Sequence, residues 1–209
     1  IENGAVVVRD EKIIAVGTTA ELKVSYPDEP TLDASGCVLM PGFVDPHTHL
    51  IWAGDRANEF EMKMAGAAYL DILAAGGGII STVRATRTAS IETLIAQTRP
   101  RLLRMFAHGT TTVEAKTGYG LQTATELRLL KALLALDDQT PVDIAFTFLG
   151  AHAIAPEFKG DPQGYTDQIC SLMLPILQVW WEANAPGQTP PFVDVFCETK
   201  AFDLNQSRQ

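Results

Sequence analysis

Two histidines stand one residue apart at the end of an apolar stretch, in the sequence PGFVDPHTHL (residues 41–50). In an extended segment, residues i and i+2 point to the same side of the chain, so His47 and His49 can direct both rings at one point. Two imidazoles in that arrangement can serve as two ligands of one zinc or ferrous ion, because both metals accept imidazole nitrogen. Two polar residues hydrogen-bonded at a turn are the alternative interpretation.

The segments that follow alternate between strand-like and helix-like patterns. Apolar, β-branched runs predict strands at residues 43–49, 110–116, 142–153 and 192–198. Helix-like composition predicts helices at residues 58–78, 90–109, 123–136 and 164–184. Pro100 and Pro175 are expected to kink or interrupt their helices. Four strand–helix units in succession indicate an α/β fold with a parallel sheet under helical cover.

The first 40 residues differ in character from the rest. Two β-branched runs flank a charged turn in GAVVVRDEKIIAVG (residues 4–17) and predict a hairpin. The segment TLDASGCVLMPG (residues 31–42) predicts another short strand and a turn. We therefore expect a small β domain over residues 1–40 and an α/β domain over residues 41–209.

Residue types that can do chemistry recur at, or just beyond, the carboxyl ends of the predicted strands. They are His47 and His49, then Lys116 and Tyr119, then His152, and finally Glu198. In a β/α barrel, this edge of the sheet carries the active site. His108 is instead expected in the last turn of a helix, where a cation complements the helix dipole, so we predict a structural role for it.

Composition and charge narrow the classes of function. Hydrophobic residues make up 46% of the chain and charged residues 20%, which is typical of a globular protein. The net charge of −9 argues against nucleic acid or an anionic membrane surface as a partner. No apolar run approaches the ~20 residues that a membrane-spanning helix needs. Three widely spaced cysteines, Cys37, Cys170 and Cys197, match neither a disulfide framework nor a zinc motif and indicate the reducing cytoplasm.

The motif PGFVDPHTH resembles the opening strand of the amidohydrolase superfamily, whose members are metal-dependent hydrolases on a distorted (β/α)8 barrel. Four further segments resemble the imidazolonepropionases within that superfamily: NEFEMKMAGAAYLDILAAGGGIISTVRATR (residues 58–87), GTTTVEAKTGYGL (109–121), TFLGAHA (147–153) and DVFCE (194–198). This resemblance runs from about residue 41 to the end of the chain. It implies a TIM-like barrel, of which about the first four strand–helix units are present, preceded by strands of a small β-sandwich domain.

The resemblance also implies an activity, the opening of the imidazolone ring of 4-imidazolone-5-propanoate to N-formimidoyl-L-glutamate in histidine degradation. One zinc or iron ion would activate the water, with the paired histidines as two of its ligands. Arg56 would pair with the propanoate carboxylate, and Tyr119 would contact the substrate. His152 would bind the substrate and take part in proton transfer. Tyr69 is either a pocket residue, as the resemblance implies, or part of a helical core. The implied partner is a small molecule with a carboxylate tail. Whether the protein forms a homodimer is left open by the resemblance.

Alternatives remain for several residues and for the function. In two-metal relatives a carboxylated lysine or a glutamate at a strand end bridges the ions, a part that Lys116 or Glu198 could play here. The one-metal family needs neither, so we treat both as supporting the metal ligands indirectly or as structural. Asp45 either orients an imidazole or forms a turn. The rival functions are another amidohydrolase, such as a nucleobase deaminase, and a non-catalytic α/β binding protein. A (β/α)8 barrel takes about 250 residues, so we expect the 209 residues to be about the N-terminal half of such an enzyme and inactive alone.

Overall fold

The computed structural model of the protein describes residues 1–68, 71–72, 75–199 and 201–209. The chain divides into two units, Ile1–Pro41 and Gly42–Gln209. None of the helices within the described ranges has both the length and the apolar character needed to span a membrane.

A β-hairpin and a short helix form the first unit. Strand β1 (Gly4–Arg9) pairs antiparallel with β2 (Lys12–Thr18), which confirms the hairpin predicted over residues 4–17. Helix α1 (Thr19–Ser25) follows directly. The side chain of Thr18 accepts a hydrogen bond from a backbone amide in the first turn and so caps this helix.

The strand predicted within residues 31–42 is wrong. This segment has an irregular backbone, and its apolar side chains, such as Leu32 and Val38, are exposed. A strand needs a neighbour to accept its backbone hydrogen bonds, whereas β1 and β2 pair with each other in a two-stranded sheet. The predicted turn is present, and the Cys37 amide closes it by donating to the Ala34 carbonyl oxygen at 3.0 Å.

The second unit alternates strands and helices. Its elements in chain order are β3 (Phe43–Thr48), α2 (Ala57–Met64), α3 (Ile79–Thr88), α4 (Ile91–Ala107), β4 (Thr110–Lys116), α5 (Thr123–Gln139), β5 (Asp143–Ala151), α6 (Pro162–Gln168), α7 (Leu174–Asn184), β6 (Phe192–Val195) and α8 (Leu204–Arg208). The strands form one curled sheet in the order β3-β4-β5-β6, and every pair is parallel. The predicted α/β architecture with a parallel sheet is confirmed.

One predicted helix has the wrong extent. The pattern over residues 58–78 predicts a single helix, but α2 ends at Met64. Gly66 adopts a φ of +89°, a left-handed conformation that ends a helix. Helix α3 lies outside every predicted helix and begins after Gly78, which also has a positive φ.

The two helix prolines behave differently. Pro100 is expected to kink or divide its helix, but α4 runs through it as one helix, so the division is wrong. A π-helical turn, Ile169–Met173, separates α6 from α7, and Pro175 stands in the first turn of α7. Pro175 has no amide hydrogen to donate, and the backbone hydrogen bond that it omits falls where the π-helical turn meets α7, so the predicted interruption there is confirmed.

Helix α5 is central to the core of the second unit. It packs against β5 and against helices α4 and α7. Four of its leucines are fully buried: Leu129, Leu130, Leu133 and Leu136. A closely packed apolar layer therefore supports the sheet whose carboxyl edge carries the candidate site.

Replacing Leu133 with alanine is expected to lower the free energy of unfolding by ~2–5 kcal/mol, because it opens a cavity at a fully buried position. Urea unfolding would measure the change. Lys131, which is exposed on the same helix, provides the control, since its replacement with alanine leaves the core intact. Equal effects of the two substitutions would contradict this placement of the core.

Candidate active site

The carboxyl ends of the four parallel strands bring ring side chains to one edge of the sheet. His49 directly follows β3, and Tyr119 lies three residues beyond the end of β4. His152 directly follows β5, and Phe196 directly follows β6. Because parallel strands end at the same edge, residues far apart in the sequence become neighbours there.

These rings form a contiguous cluster. The rings of His49 and His152 are stacked, with centroids 4.6 Å apart and planes 10° apart. Tyr119 meets both edge-on, at centroid distances of 5.7 Å from His49 and 5.2 Å from His152. The His47 ring is 5.6 Å from His49, and Phe196 is 6.2 Å from His152. The structure thus brings together four of the residues singled out from the sequence, namely the three histidines and the tyrosine.

His152 is held in one tautomer. Its Nδ1–H donates to the carbonyl oxygen of Gly118 at 2.9 Å, and because a carbonyl can only accept, Nδ1 carries the hydrogen. Burial lowers the pKa of His152 below the usual 6.5, opposed in part by this hydrogen bond and reinforced by the charge of Arg56. The ring is therefore neutral near pH 7, with Nε2 free to accept a hydrogen bond or a proton.

His49 carries an unpaired ring nitrogen. Its Nδ1 is buried and has no hydrogen-bond partner among the residues that the structure describes. Burial, with smaller contributions from the charges of His152 and His47, lowers the pKa of His49 to about 4. A buried polar atom without a partner is rare in folded proteins. His47 is more exposed, and its backbone amide donates to Asp45 Oδ1 at 3.3 Å within β3.

A sequence model of the amidohydrolase family matches residues 31–145, which is more than half of the chain. The chain belongs to the amidohydrolase family. A second model, described as an imidazolonepropionase-like composite domain of bacteria, matches residues 4–28.

Curated proteins named imidazolonepropionase are similar to this chain over 99–100% of the chain's own length. The chain is 50% identical to the one from Herpetosiphon aurantiacus over 209 residues, which is 100% of this chain and 49% of that relative. It is 47% identical to the one from Halobacterium salinarum, over 99% of this chain and 48% of the relative. It is 44% identical to the one from a Caulobacter species, over 100% of this chain and 50% of the relative. The chain therefore spans about half the length of the curated relatives it matches, and the resemblance found in its motifs is confirmed.

Members of the amidohydrolase family typically use a metal ion. His47 and His49 suit two of its ligands, because the His49 ring is neutral and its buried Nδ1 finds no partner in the part of the chain that the structure describes. A catalytic zinc site uses three protein ligands. Within residues 1–68, 71–72, 75–199 and 201–209, no three His, Cys, Asp or Glu side chains are grouped to hold an ion. Among the described residues, the fit is thus limited to this pair of imidazoles.

Arg56 stands just before α2, close to the ring cluster. Its Nε donates to Thr82 Oγ1 at 3.0 Å and lies 4.0 Å from Glu59 Oε1. Its positive charge lowers the pKa of both Tyr119 and His152. Burial outweighs this effect at Tyr119 and raises the pKa of its hydroxyl, which therefore stays protonated and able to donate. Arg56 and Tyr119 can accordingly offer positive charge and a hydrogen-bond donor to one ligand.

Lys116 is fully engaged in ion pairs. Its Nζ lies 2.6 Å from Glu114 Oε1 and 2.8 Å from Asp194 Oδ2. Burial alone would lower the pKa of Lys116, but the two carboxylates outweigh it and raise the pKa. A protonated amine has no lone pair for a metal, so the structural role predicted for Lys116 is favoured. Asp194 is not singled out by the motifs, although an acid inside the apolar strand FVDV (residues 192–195) could have indicated an ion pair with a neighbouring strand.

Of three other residues that the sequence singled out, one lies outside the described residues and two are exposed. Tyr69 lies outside the described residues. Glu198 is exposed, and its Oε1 accepts a hydrogen bond from the Thr199 amide at 2.7 Å. His108 is exposed at the carboxyl end of α4, the position predicted for it.

One buried acid beneath the site is absent from the sequence motifs. Glu126 is completely buried in the first turn of α5, below the loop that carries Tyr119. The available signal is an acidic residue placed shortly after a glycine-flanked loop and among apolar helix positions. Such a residue is more often assigned to a solvated helix face, so its burial was not predictable from spacing alone.

Proposed function

We propose that the full-length protein is a metal-dependent hydrolase that opens the imidazolone ring of 4-imidazolone-5-propanoate to N-formimidoyl-L-glutamate, a step of histidine degradation. The observation that carries the proposal is the cluster of His47, His49, Tyr119 and His152 at the carboxyl edge of the sheet. The names of the relatives, at 44–50% identity, support this substrate.

The proposal includes one zinc or iron ion and a complete barrel. His47 and His49 would hold the ion together with ligands from elsewhere in the full-length protein. When bound, the ion would lower the pKa of a water molecule toward neutrality. The parallel sheet would continue into a (β/α)8 barrel, and the first 40 residues would contribute strands to a small β-sandwich.

The residues of this chain would bind and orient the substrate. Arg56 would pair with the propanoate carboxylate, because a guanidinium recognises a carboxylate with two parallel hydrogen bonds. The hydroxyl of Tyr119 would donate to a ring heteroatom, and Tyr69 would add a further contact. Hydrolysis adds water across the ring C–N bond: the carbon gains a hydroxyl and the nitrogen a proton. Nε2 of His152, free to accept, would hold a proton during that exchange.

The test is an assay of the purified, metal-loaded, full-length protein on 4-imidazolone-5-propanoate, followed by ultraviolet absorbance. We expect rapid loss of the substrate and formation of N-formimidoyl-L-glutamate. Guanine and cytosine are the comparison substrates for the deaminase alternative. Turnover of a nucleobase with no turnover of the imidazolone would contradict the proposed substrate while keeping the family.

The 209-residue chain alone is expected to be inactive in the same assay. Its described residues assemble a pair of histidine ligands, fewer than the three of a catalytic zinc site. Rates of the 209-residue chain and the full-length protein, measured at equal concentration with added metal, decide the point. Comparable turnover would show that the chain by itself completes the site.

We further propose a cytoplasmic location, supported by three free cysteines.

A further inference from the structure

The loop between β4 and α5 supplies two parts of the candidate site. It carries Tyr119, and its Gly118 carbonyl accepts the hydrogen bond that sets the tautomer of His152. Gly118 and Leu121 have φ values of +105° and +54°, and the second is a left-handed conformation that costs free energy for a leucine. The loop therefore needs external contacts to keep this shape.

The Glu126 carboxylate provides such contacts on the amide side of the loop. Its Oε2 accepts the Gly118 N–H at 2.8 Å, and its Oε1 accepts the N–H groups of Gly120 at 2.8 Å and Leu121 at 2.7 Å. These three amides bracket Tyr119 on both sides. Glu126 has no exposed surface, so water does not compete for these hydrogen bonds.

Arg87 holds the opposite, carbonyl side of the same loop. Its Nε donates to the Gly120 carbonyl oxygen at 2.6 Å, and its guanidinium is ion-paired with Glu157. One face of the loop is thus bound by an acceptor and the other by a donor. Movement of the loop away from Glu126 would break the hydrogen bonds of its amides, and movement away from Arg87 would break that of the Gly120 carbonyl.

Close packing transmits the loop position to His152. A Cβ added to Gly118 would lie 2.8 Å from the Leu149 carbonyl oxygen and 2.9 Å from the His152 Cβ. A Cβ added to Gly120 would lie 2.8 Å from Thr125. Since the loop backbone touches the segment of His152, a shift of the loop displaces the Tyr119 hydroxyl and the hydrogen bond to His152 together.

We propose that Glu126 is a positioning residue for the active site, acting by fixing the loop that presents Tyr119 and orients His152. A carboxylate suits this place because both of its oxygens only accept, so three N–H donors can converge without a competing donor. Glutamine would turn an NH₂ group toward one of these amides. The kinetic test of this inference rests on the proposed function, whereas its structural test, the tautomer of His152, does not.

The test compares Glu126→Gln with Asp137→Asn in the full-length, zinc-loaded protein. Asp137 is a matched control, because it lies on the same helix and also accepts a backbone amide, that of Ile144 at 2.8 Å, away from the loop. We expect Glu126→Gln to lower kcat/KM at least about tenfold, since small misplacements of site groups have large kinetic effects. The loss should include a higher KM, through Tyr119, as well as a lower kcat, through His152, whereas partial unfolding would lower only kcat. Asp137→Asn should leave KM unchanged.

A second readout is independent of the substrate. In protein labelled with ¹⁵N-histidine, the Nδ1–H signal of His152 should be present in the wild type and in Asp137→Asn, and lost or mixed with the other tautomer in Glu126→Gln. If the wild type does not consume the imidazolone, the proposed function fails while this signal still decides the role of Glu126. Unchanged KM and an unchanged His152 signal in folded Glu126→Gln would overturn the inference. Should that variant not fold, Glu126→Asp, which keeps the carboxyl group but withdraws it by one methylene, is judged by the same two readouts.

Discussion

Replacing His49 with alanine in the full-length protein is expected to lower kcat/KM for 4-imidazolone-5-propanoate by at least about a thousandfold. The reason is loss of the metal: a Lewis acid contributes several kcal/mol to the transition state, and each 1.36 kcal/mol is a factor of ten in rate. His49 is the stronger choice of the histidine pair, because its ring is neutral and its buried Nδ1 has no other partner within the described ranges. Elemental analysis of the purified variant should show a parallel fall in bound zinc and iron.

His108→Ala is the matched control for this experiment. His108 is exposed at the end of α4, so its replacement should leave the metal content unchanged and the rate within about twofold, as for most surface substitutions. Retention of stoichiometric metal by His49→Ala would show that His49 is not a ligand. Loss of metal with full activity would instead contradict the metal-dependent mechanism.

The arrangement of strands was predictable because each lies in a short run rich in β-branched or apolar residues, although β6 ends at Val195, earlier than the predicted 198. The pattern at residues 110–116 coincides with β4, and His152 follows β5 as the sequence indicates. Chain order alone then places the strand ends at one edge, since successive parallel strands run in the same direction. Local sequence patterns and a general rule of β/α folds were therefore sufficient to predict the strands and the sheet edge at which they end.

Contacts between distant segments were not predictable in the same way. The stacking of His49 on His152 depends on the register of β3, β4 and β5, which has an irregularity between Asp45 and Thr48. The burial of Glu126 depends on a loop folding back over the helix that follows it. Helix α2 ends early because a single glycine takes a positive φ, an event that helical composition cannot reveal.

Arg56→Met is expected to lower kcat/KM for 4-imidazolone-5-propanoate by at least about tenfold, because a hydrogen bond to a charged group contributes ~1.5–3 kcal/mol. The loss should appear mostly in KM, since the propanoate tail does not change during ring opening. Arg99→Met is the control, because Arg99 is exposed on α4, and its kinetic constants should match those of the wild type.

A substrate without the tail separates charge recognition from structural damage. Arg56 also donates to Thr82 and lies near Glu59, so its replacement can loosen the start of α2 and impair any substrate. An imidazolone with a methyl group in place of the propanoate removes the same ion pair from the other side. If Arg56 binds the carboxylate, the wild type should turn over this analogue about as poorly as the variant does, and Arg56→Met should cause little further loss. An equal loss on both substrates would mean that Arg56 acts by holding α2, and the cation for the tail would then have to be sought elsewhere.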